Sequence, residues 1–133
     1  MKVLLDTQTW LWMQASPDSL HAPSIELVEN PHNELLLSAA SSWEIAVKYA
    51  IGRLDLPAPP GEYVPDRIRT SGVTPLPVEH SHALHVSTLP LHHTDPFDRL
   101  LIAQAQMLRC GILTGDHQFA AYDVEVHWAQ GPP

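Results

Sequence analysis

Four acidic side chains stand at or near the ends of apolar segments of this chain. Asp6 ends the run VLLD, Asp116 ends ILTGD, and Glu44 and Asp98 lie in SSWEIAVK and DPFDRLLIAQA. A carboxylate beside an apolar core is costly unless a partner compensates its charge. Mg²⁺ and Mn²⁺ are hard cations that prefer oxygen ligands. If the fold brings the four acids together, they form an acidic metal site.

Each acid considered by itself also has a purely structural explanation. Asp6 and Asp116 can cap the helices that follow them, because their carboxylates accept backbone N–H groups that have no partner within the helix. Glu44 lies one turn before Lys48, which is the spacing of an ion pair on a helix surface. The prediction of a metal site therefore depends on all four acids meeting at one place.

The segment Asp95-Pro96-Phe97-Asp98 is typical of a helix start. Asp95 is a suitable N-cap, Pro96 fits the first helical position, and Asp98 in the first turn favours the helix dipole. A helix that starts here also directs Asp98 toward the same edge of the fold as Asp6. We interpret Asp95 as mainly structural, in a supporting role.

The elements that must position these acids alternate between short apolar strands and helices. Strands are predicted at 2–5, 34–38 and 74–76, in CGILT and in VEVHW, and helices after Asp6, in SSWEIAVKYA and over 18–30, 62–71, 79–88, 96–109 and 116–121. This alternation predicts an α/β fold, a three-layer α/β/α sandwich with a mostly parallel central sheet. Ligands of such sheets bind beyond the carboxyl ends of the strands, so we expect Asp6 and Asp116 to meet there.

Length and charge restrict the architecture and the partners. The 133 residues fit a single domain over 1–133, with a frayed tail at 130–133. Seven basic and fifteen acidic residues leave a net charge of −8, which argues against a nucleic-acid binder that relies on a broad basic surface. Four acids at one site account for half of that charge, and a bound cation would offset part of it.

Targeting features and cysteine content predict the compartment. The chain has no apolar run of the roughly 18 residues that a transmembrane helix needs, and its N-terminus lacks the pattern of a signal peptide. We therefore expect no membrane association and a cytoplasmic location. Cys110 is the one cysteine, which excludes an internal disulfide, and we interpret it as an inert core thiol.

The joint pattern resembles the PIN domain and, within that family, the VapC-type toxins of bacterial toxin–antitoxin pairs. The similarity spans nearly the whole chain in four ordered blocks: LLDTQTWLW, LLLSAASSWEIAVKYAIGRLDLP, LPLHHTDPFDRLLIAQA and ILTGDHQFAAYDVEVHW. The four acids of the family fall on Asp6, Glu44, Asp98 and Asp116 of this chain. Asp95 matches an additional aspartate that is common in the subgroup with this HHxDPFDR-like segment.

The resemblance implies a toxin with Mg²⁺- or Mn²⁺-dependent endoribonuclease activity on RNA, a homodimer, and inhibition by a small antitoxin protein. Asp6, Asp98 and Asp116 would coordinate one or two metal ions, directly or through water. Glu44 would ligate a metal ion or orient the attacking water. Related sequences often carry a histidine where this chain has Gln8, so any proton-transfer role of that imidazole is absent here.

Several neighbouring side chains are secondary candidates for the same site. Thr7 or Thr114 could position a metal-bound water through its hydroxyl group, although we favour a turn-capping role for both. Arg99 is predicted to contact the RNA backbone, with a solvated surface arginine as the alternative.

Aromatic residues provide candidates for packing and for partner binding. We expect Trp10, Trp12 and Trp43 to pack in the core or at an interface rather than to stack on bases. An antitoxin would lay a helix or a strand into an apolar groove, for which WLWM (10–13) is a candidate lining.

Three other functions stay open at this stage. The first is a PIN-like fold retained as a weakly active or inactive binding protein, which Gln8 and the acidic balance allow. The second is a zinc-binding module, although no cysteine pair or HExxH arrangement supports its histidines and we interpret them as scattered surface residues. The third is a phosphatase resembling haloacid dehalogenases, but that pattern requires an acid where this chain has Gln8. The histidines of the second alternative are His80, His82, His85, His92 and His93.

Overall fold

Five short strands form one parallel sheet at the centre of the computed structural model, which describes residues 1–133. The strands are β1 (Lys2–Leu5), β2 (Glu34–Ser38), β3 (Thr74–Leu76), β4 (Gly111–Thr114) and β5 (Val126–Trp128). Their order across the sheet is β3-β2-β1-β4-β5, and every neighbouring pair is parallel. The predicted α/β fold with a mostly parallel sheet is confirmed.

Six α-helices surround the sheet, and none combines the length and apolar character that a membrane span requires. They are α1 (Thr7–Ala15), α2 (Ala22–Glu29), α3 (Ala39–Ala50), α4 (Pro60–Ser71), α5 (His80–His85) and α6 (Pro96–Leu108). Single helices predicted over 18–30 and 79–88 are each divided into an α-helix and a 3-10 turn. In the first case the backbone is extended at Leu20, which separates the 3-10 turn from α2. Pro23 lies in the first turn of α2, where a proline is tolerated because its missing N–H would have no partner within the helix.

Both faces of the sheet are buried, and the side chains along each strand alternate between them. In β1, Val3 and Leu5 belong to one core cluster and Leu4 to the other, and all three are fully buried. Trp10 of α1 joins the first cluster, and Ile102 of α6 joins the second. Helices therefore pack on both faces, which produces the three layers of the predicted sandwich.

Residues that the sequence assigned to the interior differ in their burial. Cys110 is buried at the end of α6, and burial raises the pKa of its thiol, as expected of a core cysteine. Trp10 is fully buried, whereas Trp12 is partly buried. Trp43 is 57% exposed and packs edge-on against Phe97, with ring centroids 4.8 Å apart. Core packing is therefore confirmed for Trp10 and does not describe Trp43.

The strand order reverses at β1, which lies between β2 and β4. In a parallel sheet this reversal opens a crevice beyond the carboxyl ends of the strands. Asp6 directly follows β1, and Asp116 follows β4 after Gly115. The backbone N–H of Asp6 donates to the carbonyl of Leu113 at 3.1 Å, which joins the two strand ends. As predicted, the topology brings both acids to one edge of the sheet.

Arg99 of α6 is buried and holds the segment that leads into this helix. It is 9% exposed. Its guanidinium donates at 2.9–3.3 Å to the carbonyl oxygens of Val86, Leu89, Pro90 and His93 and to the hydroxyl of Tyr122. The predicted contact of Arg99 with RNA is therefore corrected, because the guanidinium is buried and both of its terminal nitrogens are already engaged within the fold.

We expect Arg99→Lys to lower the free energy of unfolding by about 3 kcal/mol, because one ammonium cannot satisfy acceptors arranged for a planar fork of donors. Urea unfolding of both proteins measures this difference. The exposed Arg53 provides the matched control, and Arg53→Lys should change stability by less than about 0.5 kcal/mol. Equal losses in the two variants would contradict the structural role of Arg99.

Candidate active site

Asp6 caps α1 and also lies close to the other acids. One carboxylate oxygen, Oδ1, accepts the backbone N–H of Thr9 at 2.8 Å, and the other, Oδ2, accepts the hydroxyl of Thr114. The side chain is almost completely buried, and burial raises the pKa of Asp6 despite these hydrogen bonds. The capping explanation of Asp6 is therefore correct, and it does not exclude a role in the site.

Thr114 connects Asp6 with Asp116. Its hydroxyl donates to Asp6 Oδ2 and accepts the backbone N–H of Asp116 at 3.0 Å. Asp116 Oδ1 accepts the backbone N–H of Gln118 at 2.9 Å and caps the 3-10 turn over His117–Ala121. Asp116 Oδ2 faces the other acids. Thr114 thus orients two carboxylates that follow different strands.

Glu44 of α3 is a buried carboxylate with only one oxygen partnered. Lys48 donates to Glu44 Oε2, and this hydrogen bond raises the pKa of Lys48. The ion pair predicted from the spacing is present, but Glu44 is 5% exposed and does not lie on a solvated helix face. Glu44 Oε1 is buried and has no hydrogen-bond partner. A buried carboxylate oxygen without a donor from the protein needs another partner, such as a cation or a water molecule.

Asp98 lies in the first turn of α6, where the sequence predicted it. Asp95 caps this helix, and its Oδ1 accepts the backbone N–H groups of Phe97 at 2.8 Å and Asp98 at 3.2 Å. Burial, followed by the negative charges of nearby acids, raises the pKa of Asp98 to about 8. The acids that contribute are Asp95, Asp6, Glu44 and Asp116. The structure therefore brings all the acids named from the sequence into one electrostatically coupled cluster.

His93 is a member of this cluster that the sequence analysis did not assign to it. Its Nε2 lies 2.9 Å from Asp116 Oδ2 and 3.0 Å from Asp98 Oδ2, and these three atoms lie within 4.8 Å of one another. The sequence feature that could have indicated this role is its position in HHTDPFDR, two residues before Asp95. The interpretation as a scattered surface residue is wrong for His93, which is 7% exposed.

The remaining histidines of the proposed zinc module do not converge on a metal site. His82 is also buried, but its Nδ1 faces the backbone N–H of Glu79 and the side-chain amide of Gln104. The group of three potential ligands found in the structure combines His93 with two acids and includes no second histidine. This geometry disfavours the zinc module.

Two residues that the sequence placed near the site lie at its margin. The Thr7 hydroxyl donates to the hydroxyl of Ser41 at 2.9 Å, a buried contact between α1 and α3. Gln8 is exposed and lines a groove that also contains Leu11 and Trp12. Thr7 therefore joins two helices that carry acids, and Gln8 belongs to a neighbouring surface.

The residues of this cluster suit a hard divalent cation. The potential ligands are carboxylate oxygens, two of the acids (Asp6 and Glu44) are buried, and Glu44 Oε1 has no donor. Burial and then the negative charges of the other acids raise the pKa of Asp98, so an ionised Asp98 is repelled by its neighbours. Mg²⁺ and Mn²⁺ bind such oxygen-rich sites, so the residues fit the cofactor implied by the sequence.

Known sequences support the relationship that the sequence blocks suggested. A family model described as PIN domain matches residues 3–125. The chain is 51% identical over 59 residues to Ribonuclease VapC16 of Mycobacterium tuberculosis (strain ATCC 25618 / H37Rv). That match covers 44% of this chain and 42% of the relative. The matched segment is therefore less than half of the curated relative's length.

Solved structures share the fold at low sequence identity. VapBC2 from Rickettsia felis, bound to a promoter DNA fragment, matches with a TM-score of 0.68 and 14% identity over 96% of this chain and 98% of that one. VapBC-1 from nontypeable Haemophilus influenzae matches with a TM-score of 0.68 and 18% identity over 98% of this chain and 100% of that one. FitAcB from Neisseria gonorrhoeae matches with a TM-score of 0.60 and 20% sequence identity, over 93% of this chain and 95% of that one. The family model together with this shared architecture shows that the chain belongs to the PIN domain family.

Proposed function

We propose that this protein is a divalent-metal-dependent endoribonuclease that acts as the toxin of a toxin–antitoxin pair. The observation that carries the proposal is the convergence of Asp6, Glu44, Asp98 and Asp116 at the reversal point of a PIN-domain sheet. The match to a relative named as a ribonuclease supports activity on RNA. The cluster combines buried carboxylates with an unpartnered oxygen, which favours a metal site over an inactive scaffold.

The acids of the cluster have distinct proposed roles. Asp6, Asp98 and Asp116 would hold Mg²⁺ or Mn²⁺, and Glu44 would be a further ligand or would orient the attacking water. When bound, the cation supplies charge stabilisation at the scissile phosphate and lowers the pKa of a coordinated water. Asp95 supports the site by capping α6 and keeping Asp98 in its first turn.

Thr114 and Lys48 hold the acids in place through hydrogen bonds. Thr114 fixes Asp6 Oδ2 by donating to it, and its second hydrogen bond fixes the backbone of Asp116. Lys48 neutralises part of the charge of Glu44 and leaves Glu44 Oε1 for a ligand. The carboxylates therefore need little rearrangement to bind a cation, which is the advantage of a preorganised site.

The assembly and the location are further parts of the proposal. The similar structures from Rickettsia felis and Haemophilus influenzae are VapBC proteins, and one from Klebsiella pneumoniae is a toxin–antitoxin complex. They support a small antitoxin protein as the partner of this chain. We further propose one domain over 1–133, a homodimer and a cytoplasmic location, as the resemblance to VapC-type toxins implies.

We expect Asp98→Asn and Asp116→Asn to lower the rate of RNA cleavage by about 100-fold or more, because each removes a ligand charge from the metal site. Cleavage is measured on single-stranded RNA with Mg²⁺ or Mn²⁺, and chelation should abolish it. Asp123→Asn changes an exposed aspartate before β5, near the opposite edge of the sheet, and should cleave like the parent. Equal cleavage by the parent and both site variants would show that a contaminating nuclease or another site is responsible.

We expect the metal-free protein to lose stability as the pH rises from 5.5 to 8.5. The folded pKa of Asp98 is about 8, against about 3.9 in an unfolded chain, so the folded state binds this proton more tightly. The stabilising contribution is complete below the unfolded value and is lost as the pH rises through the folded value. Thermal unfolding in the presence of a chelator measures the trend, which Asp98→Asn should weaken and Asp123→Asn should retain. An unchanged trend in Asp98→Asn would contradict the predicted cluster.

We expect expression of this chain alone in bacterial cells to slow growth and to create new RNA ends. The parent and Asp98→Asn are compared by sequencing RNA 5′ ends, and only the parent should produce them. Coexpression of a small antitoxin from the neighbouring gene should restore growth. New ends that are identical in both strains would contradict ribonuclease activity at this site.

A further inference from the structure

We propose that His93 is a positioning residue that holds Asp98 and Asp116 in the arrangement needed to share a divalent cation. The inference rests on the proposed function, because it concerns the same metal site. Asp98 lies in the first turn of α6 and Asp116 follows β4, so no short stretch of backbone connects them. Burial is the main cause of the raised pKa of Asp98 and the charge of Asp116 adds to it, so the two carboxylates repel when both are ionised. A donor between the two carboxylates offsets this repulsion.

The imidazole of His93 occupies that position. Its Nε2 lies 2.9 Å from Asp116 Oδ2 and 3.0 Å from Asp98 Oδ2, so one ring nitrogen is within hydrogen-bond distance of both acids. The ring is buried and packs edge-on against Phe119, with centroids 6.0 Å apart. It therefore has little freedom to move away from the carboxylates.

The other ring nitrogen determines which role His93 can have. The backbone N–H of Asp95 donates to His93 Nδ1 at 3.2 Å, so Nδ1 must present its lone pair. The neutral ring then carries its hydrogen on Nε2, which donates to Asp98 and Asp116. A ring that bound metal through Nε2 would carry its hydrogen on Nδ1, directed at the N–H of Asp95. This hydrogen-bond pattern favours His93 as a donor to the ligands over His93 as a ligand.

The backbone of His93 is held from both sides. The Tyr122 hydroxyl accepts its N–H at 2.8 Å, and Arg99 donates to its carbonyl at 3.3 Å. Arg99 directly follows Asp98 in α6. The same turn of helix therefore carries one carboxylate and fixes the residue that orients it. Hydrogen bonds to metal-binding carboxylates typically change metal affinity by about 10- to 100-fold.

The test measures metal affinity of the full chain without RNA, by calorimetry with Mn²⁺ and, separately, with Mg²⁺. We expect His93→Leu, which has no donor, to bind both metals about 10- to 100-fold more weakly than the parent. His93→Gln places an amide donor near the position of Nε2 and should recover most of the affinity. His92→Leu alters the exposed neighbouring histidine and should bind like the parent.

Three outcomes would overturn the positioning role. The first is a metal affinity of His93→Leu equal to that of the parent, and the second is an equal loss of metal affinity in His93→Leu and His93→Gln. The third is a loss of affinity for Mn²⁺ but not for Mg²⁺, which would make His93 a ligand. If His93→Leu does not fold, His93→Asn replaces it in the test. The shorter amide of asparagine does not reach the position of Nε2, so the same loss of metal affinity is expected. Failure of the proposed function is distinct: the parent itself would then bind neither metal, or Asp98→Asn would bind both as well as the parent.

Discussion

The close approach of several carboxylates at one edge of the sheet explains most of the other contacts in this structure. Burial and neighbouring acids raise the pKa of Asp98 to about 8, so this carboxyl group resists ionisation. The chain offsets part of this cost with donors from the surrounding elements, among them the backbone N–H of Thr9 in α1, the hydroxyl of Thr114 and the imidazole of His93. Glu44 Oε1 receives none of these donors. A hard cation is the partner that matches this arrangement.

The acids also stabilise the elements that carry them. Asp6 caps α1, Asp95 caps α6 and Asp116 caps the 3-10 turn after β4. A cap must lie at the start of a helix, and in a parallel α/β sheet these starts follow the carboxyl ends of the strands. Structural and functional explanations of these residues are therefore not alternatives. The same geometry that satisfies backbone N–H groups also gathers the carboxylates in the crevice.

A second layer of contacts determines how precisely the carboxylates are held. Arg99 and Tyr122 fix the segment before α6 through its backbone, and His93 projects from that segment between two acids. Backbone carbonyls are the main acceptors of the buried guanidinium, so the position of the loop depends on the charged side chain beside Asp98. A metal site needs its ligands in a narrow range of positions, and this frame limits how far Asp98 and His93 can move.

Local patterns predict the α/β class, the parallel sheet and the edge at which Asp6 and Asp116 meet, because alternation, capping and strand ends depend on residues close together in the chain. The family resemblance added Glu44 and Asp98. The burial of Glu44, the inward direction of Arg99 and the place of His93 among the acids became evident only in the folded chain. Burial and orientation depend on packing between distant segments, as when Asp116, beyond β4, meets a histidine 23 residues earlier in the chain. His93 lies close to Asp95 in the sequence, but the residues around His93 and Arg99 do not show which way either side chain points.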